Sequence, residues 1–435
     1  MSISQAAATE AADRRKLLYA GIVIFAGVLA TTLAQSVILA KIPLQNLLKN
    51  TLHADRSVNA AFFFWSSLPW YFKPLIGMYQ DAVPVFGSRR RSYLIIGGAV
   101  ASLSWFALVL VPITYSMLLG ICVVISAAMV VASTAIGGYM VEAARQSRGP
   151  GRLTSLRFIA EQFSVLCGGP GGGFLGTLAL AWTGVACGTI AFLIVPVAWL
   201  CMREQAPRPS AGRFLADTRA QLRAIGSART MWAAAGFAAL FYSAPGIFTA
   251  IFYVQQNDLH LTTQGQGNLT LLSGAAGMAA AALYGTYACR RLSLRTLLLI
   301  CLVAGAIGNL AYWFYGSVVQ ASIAETVNGF GYTLAEVSIM HLAVRATPAG
   351  SEALGFSLIM AVRNFCLYGS DWIGATLIER WHLSFHQLVA INAGTTLLAV
   401  PLVLLLPRAI TMVRDARKSD PDIDLAPAAP HTIHE

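Results

Sequence analysis

Apolar residues run along the chain in blocks of about 20, broken by short polar turns, with no sustained two-residue alternation. At about 1.5 Å per residue, each block is long enough to cross ~30 Å of hydrocarbon as a helix. The blocks predict twelve spans, over 17–40, 58–80, 92–112, 115–141, 152–178, 182–202, 231–254, 268–289, 294–315, 318–343, 351–378 and 385–406. The first 16 residues are polar, end in Arg14-Arg15-Lys16 and lead into a full span, so no cleavable leader is expected. An even number of spans puts both termini on one side. The expected fold class is an all-α integral membrane protein of twelve transmembrane helices. Its six-helix halves, 17–202 and 231–406, are joined by a linker at 203–230 and flanked by tails at 1–16 and 407–435.

Charge sets the orientation. With the N-terminus inside, 23 of the 30 basic residues fall in inner segments and four, Lys41, Lys49, Arg56 and Arg380, fall in outer loops. Cationic loops are retained in the cytoplasm, so both termini and the linker are expected there. The linker carries six arginines and two prolines and has the character of an amphipathic surface segment. The tail after Pro407 is charged and proline-rich and reads as disordered.

Composition agrees: 57% of the residues are hydrophobic and 11% charged, too apolar a balance for a soluble chain of 435 residues. The net charge of +11 lies in membrane-flanking loops, which makes anionic lipid, rather than nucleic acid, the expected partner. The seven cysteines show no metal-type spacing and read as packing residues. His382 and His386 stand one turn apart without a third ligand, a poor metal site. No Gly-Lys dipeptide occurs, hence no P-loop, and no His-Glu-x-x-His motif. No cofactor is called for, and an enzyme is not expected.

The most distinctive stretch is Pro69–Gly98, PWYFKPLIGMYQDAVPVFGSRRRSYLIIGG. Gly77 allows two backbones to approach, Asp81 is an acid at a helix end, and Arg89-Arg90-Arg91 mark an inner loop. Gly77-x-x-x-Asp81 followed by glycine and arginines resembles the loop between helices 2 and 3 of the major facilitator superfamily. The longer form, with Lys73-Pro74-Leu75-Ile76-Gly77 before it and Val83-Pro84-Val85-Phe86-Gly87 before the arginines, resembles the folate–biopterin transporter family within that superfamily. Leu47–Leu52, Tyr139–Arg145 and Gly350–Asn364 carry the same resemblance. The family often has aspartates in helix 4, where this chain has Ser133 and Gly137. The resemblance implies transport of folate or a pterin. It also implies gating by Gly77, Asp81, Arg89, Arg90, Arg91 and Glu142, the last at the inner end of helix 4.

A charge inside a bilayer is expensive and faces the bundle interior or a partner. Lys73 lies about 12 Å from the inner end of helix 2, as an anion-binding group or a structural lysine paired with a carboxylate. Arg157 and Glu161 sit one turn apart on helix 5 as a self-neutralising pair, or with Glu161 coupling protons. Arg363 lies about 18 Å into helix 11 with no acid one turn away, so its partner comes from another helix or from substrate. Glu325, Glu336 and Asp371 are further proton carriers or gate partners. Gly168-Gly169-Pro170-Gly171-Gly172-Gly173 reads either as a close-packed kinked helix or as an echo of the Gly-Pro motif of proton-coupled exporters. Trp65, Trp70, Trp105, Tyr242, Tyr253, Trp313 and Trp372 are rings on which a flat heterocycle stacks, or interface anchors.

The halves carry an internal repeat. Ser155-Leu156, four residues, then Glu161-Gln162-Phe163 recurs 202 residues later as Ser357-Leu358, four residues, then Arg363-Asn364-Phe365. Gly77-x-x-x-Asp81 is echoed by Gly285-x-x-x-Cys289. Two duplicated halves place a site between them, with Arg157, Gln162, Arg363 and Asn364 beside Lys73 as substrate-binding residues. The expectation is a secondary active transporter in the inner (plasma) membrane, moving a small anionic solute by alternating access with protons. Drug or metabolite efflux by proton antiport and a non-transporting membrane binding or assembly role are the alternatives.

Overall fold

The computed structural model describes residues 3–146, 150–202, 211–348 and 351–412. Of the segments discussed above, residues 203–210 of the linker and 413–435 of the tail lie outside that description. So do Arg148 and Gly350, and the side chains of Arg145 and Glu352.

Among the described residues every regular element is helical. The first part comprises α1 (Ile3–Leu33), α2 (Lys41–Asn50), α3 (Arg56–Ser66), α4 (Leu68–Tyr71), α5 (Lys73–Ala82), α6 (Arg91–Ala107), α7 (Tyr115–Gln146), α8 (Pro150–Leu175), α9 (Leu180–Phe192) and α10 (Ile194–Cys201). The linker forms α11 (Ala211–Ser227). There follow α12 (Arg229–Tyr242), α13 (Phe248–Asn257), α14 (Thr263–Leu283), α15 (Cys289–Arg291), α16 (Leu294–Leu310), α17 (Val318–Ala346), α18 (Glu352–Trp381), α19 (Phe385–Leu402) and α20 (Arg408–Thr411). A five-residue π-helical turn, Tyr284–Ala288, joins α14 to α15 and contains Gly285 of the repeat.

Prolines account for the breaks, because a proline ring clashes with the carbonyl four residues earlier and lacks an N–H. Pro69 and Pro74 divide α3, α4 and α5; Pro196 divides α9 from α10. Two expected spans are corrected. The first, 17–40, ends at Leu33, because Pro43 in the first turn of α2 forbids a continuous helix through Leu39. The carbonyl of Ala34 released by that break accepts from Trp105 Nε1 at 3.0 Å. The seventh, 231–254, is interrupted at 243–247 by Pro245 and Gly246, and Asn392 Nδ2 takes the Pro245 carbonyl at 2.8 Å.

Among the described residues, five helical segments are long and apolar enough to cross a membrane: Tyr115–Met140, Leu180–Cys201, Thr263–Ala288, Leu294–Phe314 and Phe385–Leu405. Large apolar side chains face outward along the helices, among them Leu103, Trp199, Leu200, Ile300, Phe314, Val319 and Leu398. So much exposed apolar surface is stable only against lipid. The interior is divided: among the described residues no buried apolar cluster mixes residues from the two sides of the linker, and Ile225 of the linker joins a cluster of the second side. Between the two sides, α3, α4 and α5 pack on α18, and α8 packs on α14. The glycine run serves the second contact. A Cβ on Gly169 would lie 2.9 Å from the Gly267 carbonyl oxygen, and one on Gly173 2.8 Å from that of Thr263.

Candidate functional site

Where α3–α5 meets α18, rings interlock. Phe64 packs on Phe365 at 5.6 Å and on Trp372 at 5.4 Å between centroids, and Tyr71 packs on Phe365 at 5.5 Å. Tyr71 stands two residues before Lys73, and Phe365 two residues after Arg363.

Lys73 Nζ donates to Ser133 Oγ at 3.1 Å and sits over the Trp70 ring at 5.1 Å. Ser133 is one of the two positions where the family resemblance leads one to expect an aspartate. A hydroxyl there solvates the ammonium without cancelling its charge. Arg157 Nε donates to Glu161 Oε1 at 3.0 Å as the i,i+4 geometry requires, and this pair is electrostatically coupled to Lys73. Gln162 is half-buried beside it.

Arg363 finds its acid on another helix. Its guanidinium pairs with Glu336 of α17, donates to Asn364 Oδ1 at 2.9 Å and stands 5.1 Å from the Tyr242 ring centroid. Its buried Nε has no partner. Each side of the seam therefore holds one arginine–glutamate pair.

The other two acids are held by neutral donors. Buried Glu325 accepts from Tyr312 Oη at 3.0 Å, Tyr315 Oη at 2.9 Å and Gln255 Nε2 at 3.3 Å, bringing together α13, α17 and the turn after α16. Asp371 accepts from the Thr249 N–H at 3.0 Å and the Thr249 hydroxyl at 2.6 Å, capping the free N-terminus of α13.

The arginine triplet works inside the first half. Asp81 pairs with Arg90, whose Nε also donates to Glu142 Oε1 at 3.2 Å, so one buried guanidinium ties α5, the start of α6 and α7 together. Arg90 lies over Gly138, where no side chain intervenes. A Cβ on Gly77 would meet the Thr134 methyl at 3.4 Å, an ordinary packing contact. Arg91 donates to the Trp199 carbonyl at 2.9 Å, and Arg89 stands half-buried in the bend before it.

At the far end, away from the triplet, polar bonds cross between the halves. Arg56 Nη1 meets Glu379 Oε1 at 2.7 Å, and Ser57 and Thr376 share a hydrogen bond of 2.9 Å. Tyr253 Oη donates to the Ala54 carbonyl at 2.6 Å, and its ring carries Arg56 at 5.1 Å and Lys49 at 5.0 Å. Sequence reasoning counted Lys49 and Arg56 only as outer-loop charges and missed Glu379; the one signal was an acid at the last turn of a long apolar helix. It missed Lys41 too. The bend before α2 turns that side chain inward, over the Phe248 ring at 5.6 Å, into a cavity of about 140 Å³ that Asp371 also lines.

Among the described residues no three of His, Cys, Asp and Glu converge as a metal site. His382 is the left-handed cap of α18, and His386 packs on Trp313 at 5.2 Å. All seven cysteines are free thiols.

Comparison with known proteins adds the lineage. The BT1 family model matches residues 35–423. The folate-biopterin transporter of Synechocystis sp. is 27% identical over 423 residues, covering 89% of this chain and 82% of that protein. Probable folate-biopterin transporter 4 of Arabidopsis thaliana is 27% identical over 132 residues, 29% of this chain and 27% of that protein. Among solved structures, a D-xylose–proton symporter superposes with TM-score 0.70 at 15% identity, over 90% of this chain and 98% of that one. A nucleoside transporter gives 0.67 at 13%, over 90% and 99%. The peptide transporter PepTSo of the POT family gives 0.67 at 13%, over 91% and 98%.

Proposed function

Because this chain belongs to the BT1 family, we propose that this multi-pass membrane transporter carries a folate- or pterin-like anion together with protons. The site lies between the two six-helix halves and opens alternately to either face. Membership makes it a transporter rather than an enzyme; the substrate, the coupling and the alternation are our reading. With the N-terminus inside the inner membrane, the arginine-triplet end faces the cytoplasm. The bonds between Arg56, Ser57 and Tyr253 and their partners then form the outer gate. The cluster of Asp81, Arg90 and Glu142 makes helices 2, 3 and 4 move as one body at the inner face.

The observation that carries the reading is one arginine–glutamate pair on each side of the linker, Arg157–Glu161 before it and Arg363–Glu336 after it, with Lys73 on a neutral partner. A substrate carboxylate that reaches Arg363 competes with Glu336 for the guanidinium. The displaced glutamate, left without its cation, is the group we assign to carry the proton. Anion and proton therefore enter together. Lys73 and Asn364 hold the remaining polar groups of the solute. Glu161 responds in the same way when Arg157 turns to the substrate, with Gln162 beside it. Glu325 and Asp371 have no cation in direct contact to lose and stand in reserve as proton carriers. The glycine run that prompted an efflux reading packs α8 on α14, and no feature of the site favours efflux.

Counterflow in proteoliposomes tests the substrate class. Labelled folic acid or biopterin should exchange saturably and be displaced by unlabelled folate, while sugars, nucleosides and peptides leave it unaffected. Exchange of none of the pteridines, or equal displacement by all solutes, would overturn the proposal.

A further inference from the structure

The cavity beside Asp371 has a character of its own. It lies between α2 of the first half and α13 and α18 of the second, and it holds about 140 Å³. Its polar groups are Lys41, Gln45, Thr249, Tyr368 and Asp371, and Phe248 supplies a ring wall. Two of them have unused donors. Gln45 is 2% exposed, and its amide nitrogen makes no hydrogen bond. A buried amide without a partner costs about 1–3 kcal/mol, so such a group in a polar cavity marks a place that a ligand satisfies. Lys41 lies over the face of Phe248 at 5.6 Å and within the electrostatic reach of Asp371, and no hydrogen bond from its ammonium is seen.

Asp371 is the complement. The Thr249 N–H at 3.0 Å and the Thr249 hydroxyl at 2.6 Å fix its orientation, each on a different oxygen. An ionised carboxylate offers about four lone-pair positions, so both oxygens keep an acceptor site for an outside donor. The carboxylate is thus aimed and locked before any ligand arrives.

We propose that this cavity is the subsite for the ring of the substrate, a flat heterocycle carrying a ring N–H and an adjacent amino group. Asp371 accepts from both donors, as a planar carboxylate does with any two parallel N–H groups. Gln45 Nε2 and Lys41 Nζ donate to the ring carbonyl and ring nitrogens, and the ring lies against Phe248 and Tyr368. The 2-amino-4-oxo edge of a pteridine has this pattern of donors and acceptors. Asp371 and Arg363 are eight residues apart on α18, about 12 Å along the helix. A solute with a pteridine at Asp371 therefore presents its acidic tail toward Arg363. This inference rests on the pteridine-carrier reading and adds the orientation of the solute and the residues that select its ring.

Binding to the purified full-length protein in detergent separates the two ends. The probes are labelled folic acid, pterin (the ring alone) and p-aminobenzoylglutamate (the tail alone). Gln45→Ala and Asp371→Asn should each weaken pterin about tenfold or more and leave the tail probe unchanged, whereas Arg363→Gln should do the reverse. A pteridine lacking the 2-amino group but keeping the ring N–H should bind the wild type more weakly than pterin does, and should lose less than pterin loses in Asp371→Asn. Asp371 also caps α13, whereas the Gln45 amide nitrogen bonds nothing, so Gln45→Ala carries the test if Asp371→Asn does not fold. Folic acid bound by the wild type with pterin affinity intact in Gln45→Ala would overturn the ring subsite alone. No binding of any of the three probes to the wild type would overturn the transport reading and the subsite with it.

Discussion

At the scale of residues, the account turns on two arginines that share their charge with glutamates. Arg363 is bound to Glu336 across two helices and Arg157 to Glu161 along one. Removing one partner leaves the other without its counter-charge, which is the basis of the expected phenotypes and weighs more for the enclosed Arg363–Glu336 pair than for the more exposed Arg157–Glu161 pair. Arg363→Gln should weaken substrate binding about tenfold or more at every pH, because a charge-assisted hydrogen bond contributes roughly 1.5–3 kcal/mol. Glu336→Gln and Glu161→Gln should leave exchange of labelled for unlabelled substrate intact. Each should abolish or reduce accumulation driven by a pH gradient, since glutamine carries no titrating proton. Full accumulation in both glutamine variants would assign coupling to Glu325 or Asp371. The intramembrane charges were legible in the sequence because their cost makes them conspicuous. Glu336 as partner of Arg363 was not, because pairing between α17 and α18 depends on how the helices are rotated. Lys41 was hidden for another reason: two residues from a proline, it reads as loop until the bend at 34–40 is known.

At the scale of elements, block length and proline position gave most of the helices, and backbone contact explains what they missed. The break between α12 and α13 is built on Gly246, whose N–H donates to the Ser370 carbonyl at 2.8 Å. A Cβ there would lie 2.6 Å from the Asp371 Cα and force α18 away. Gly246→Ala should therefore destabilise the protein by about 1–3 kcal/mol, read as a lower melting temperature in detergent, and should weaken ring binding through Asp371. A melting temperature equal to the wild type would show that α18 yields freely at this contact. The glycine run of α8 was legible as a packing surface but not as one that crosses to α14. Helix pairs distant in sequence leave no local mark in the sequence of either helix. The echo of Gly77 at Gly285 has no packing counterpart: a Cβ on Gly77 would meet the Thr134 methyl at 3.4 Å, whereas Gly285 lies in the π-helical turn with no neighbour within 4 Å of its would-be Cβ.

At the scale of the molecule, the two sides of the linker have separate cores and meet along seams of rings and glycines. Such a seam can part without exposing a core, which is what alternating access demands. The bridge between Arg56 and Glu379 joins the two sides at one end, and in our proposal it is the bond that keeps that end shut. Glu379→Gln should shift the population toward the state open at that end. A cysteine at Val37, on the cavity wall, should then react faster with an impermeant thiol reagent added outside, in a background where native cysteines are replaced. Unchanged reactivity in protein that still folds would remove Glu379 from the gate. The central claim is that an anionic pteridine and protons cross together through the seam. It is tested most directly by following the internal pH of proteoliposomes with a trapped dye while folic acid is added outside. The account expects the lumen to acidify as folate enters in the wild type and neither to occur with Arg363→Gln. Folate entry without acidification, or no entry in the wild type, would contradict it.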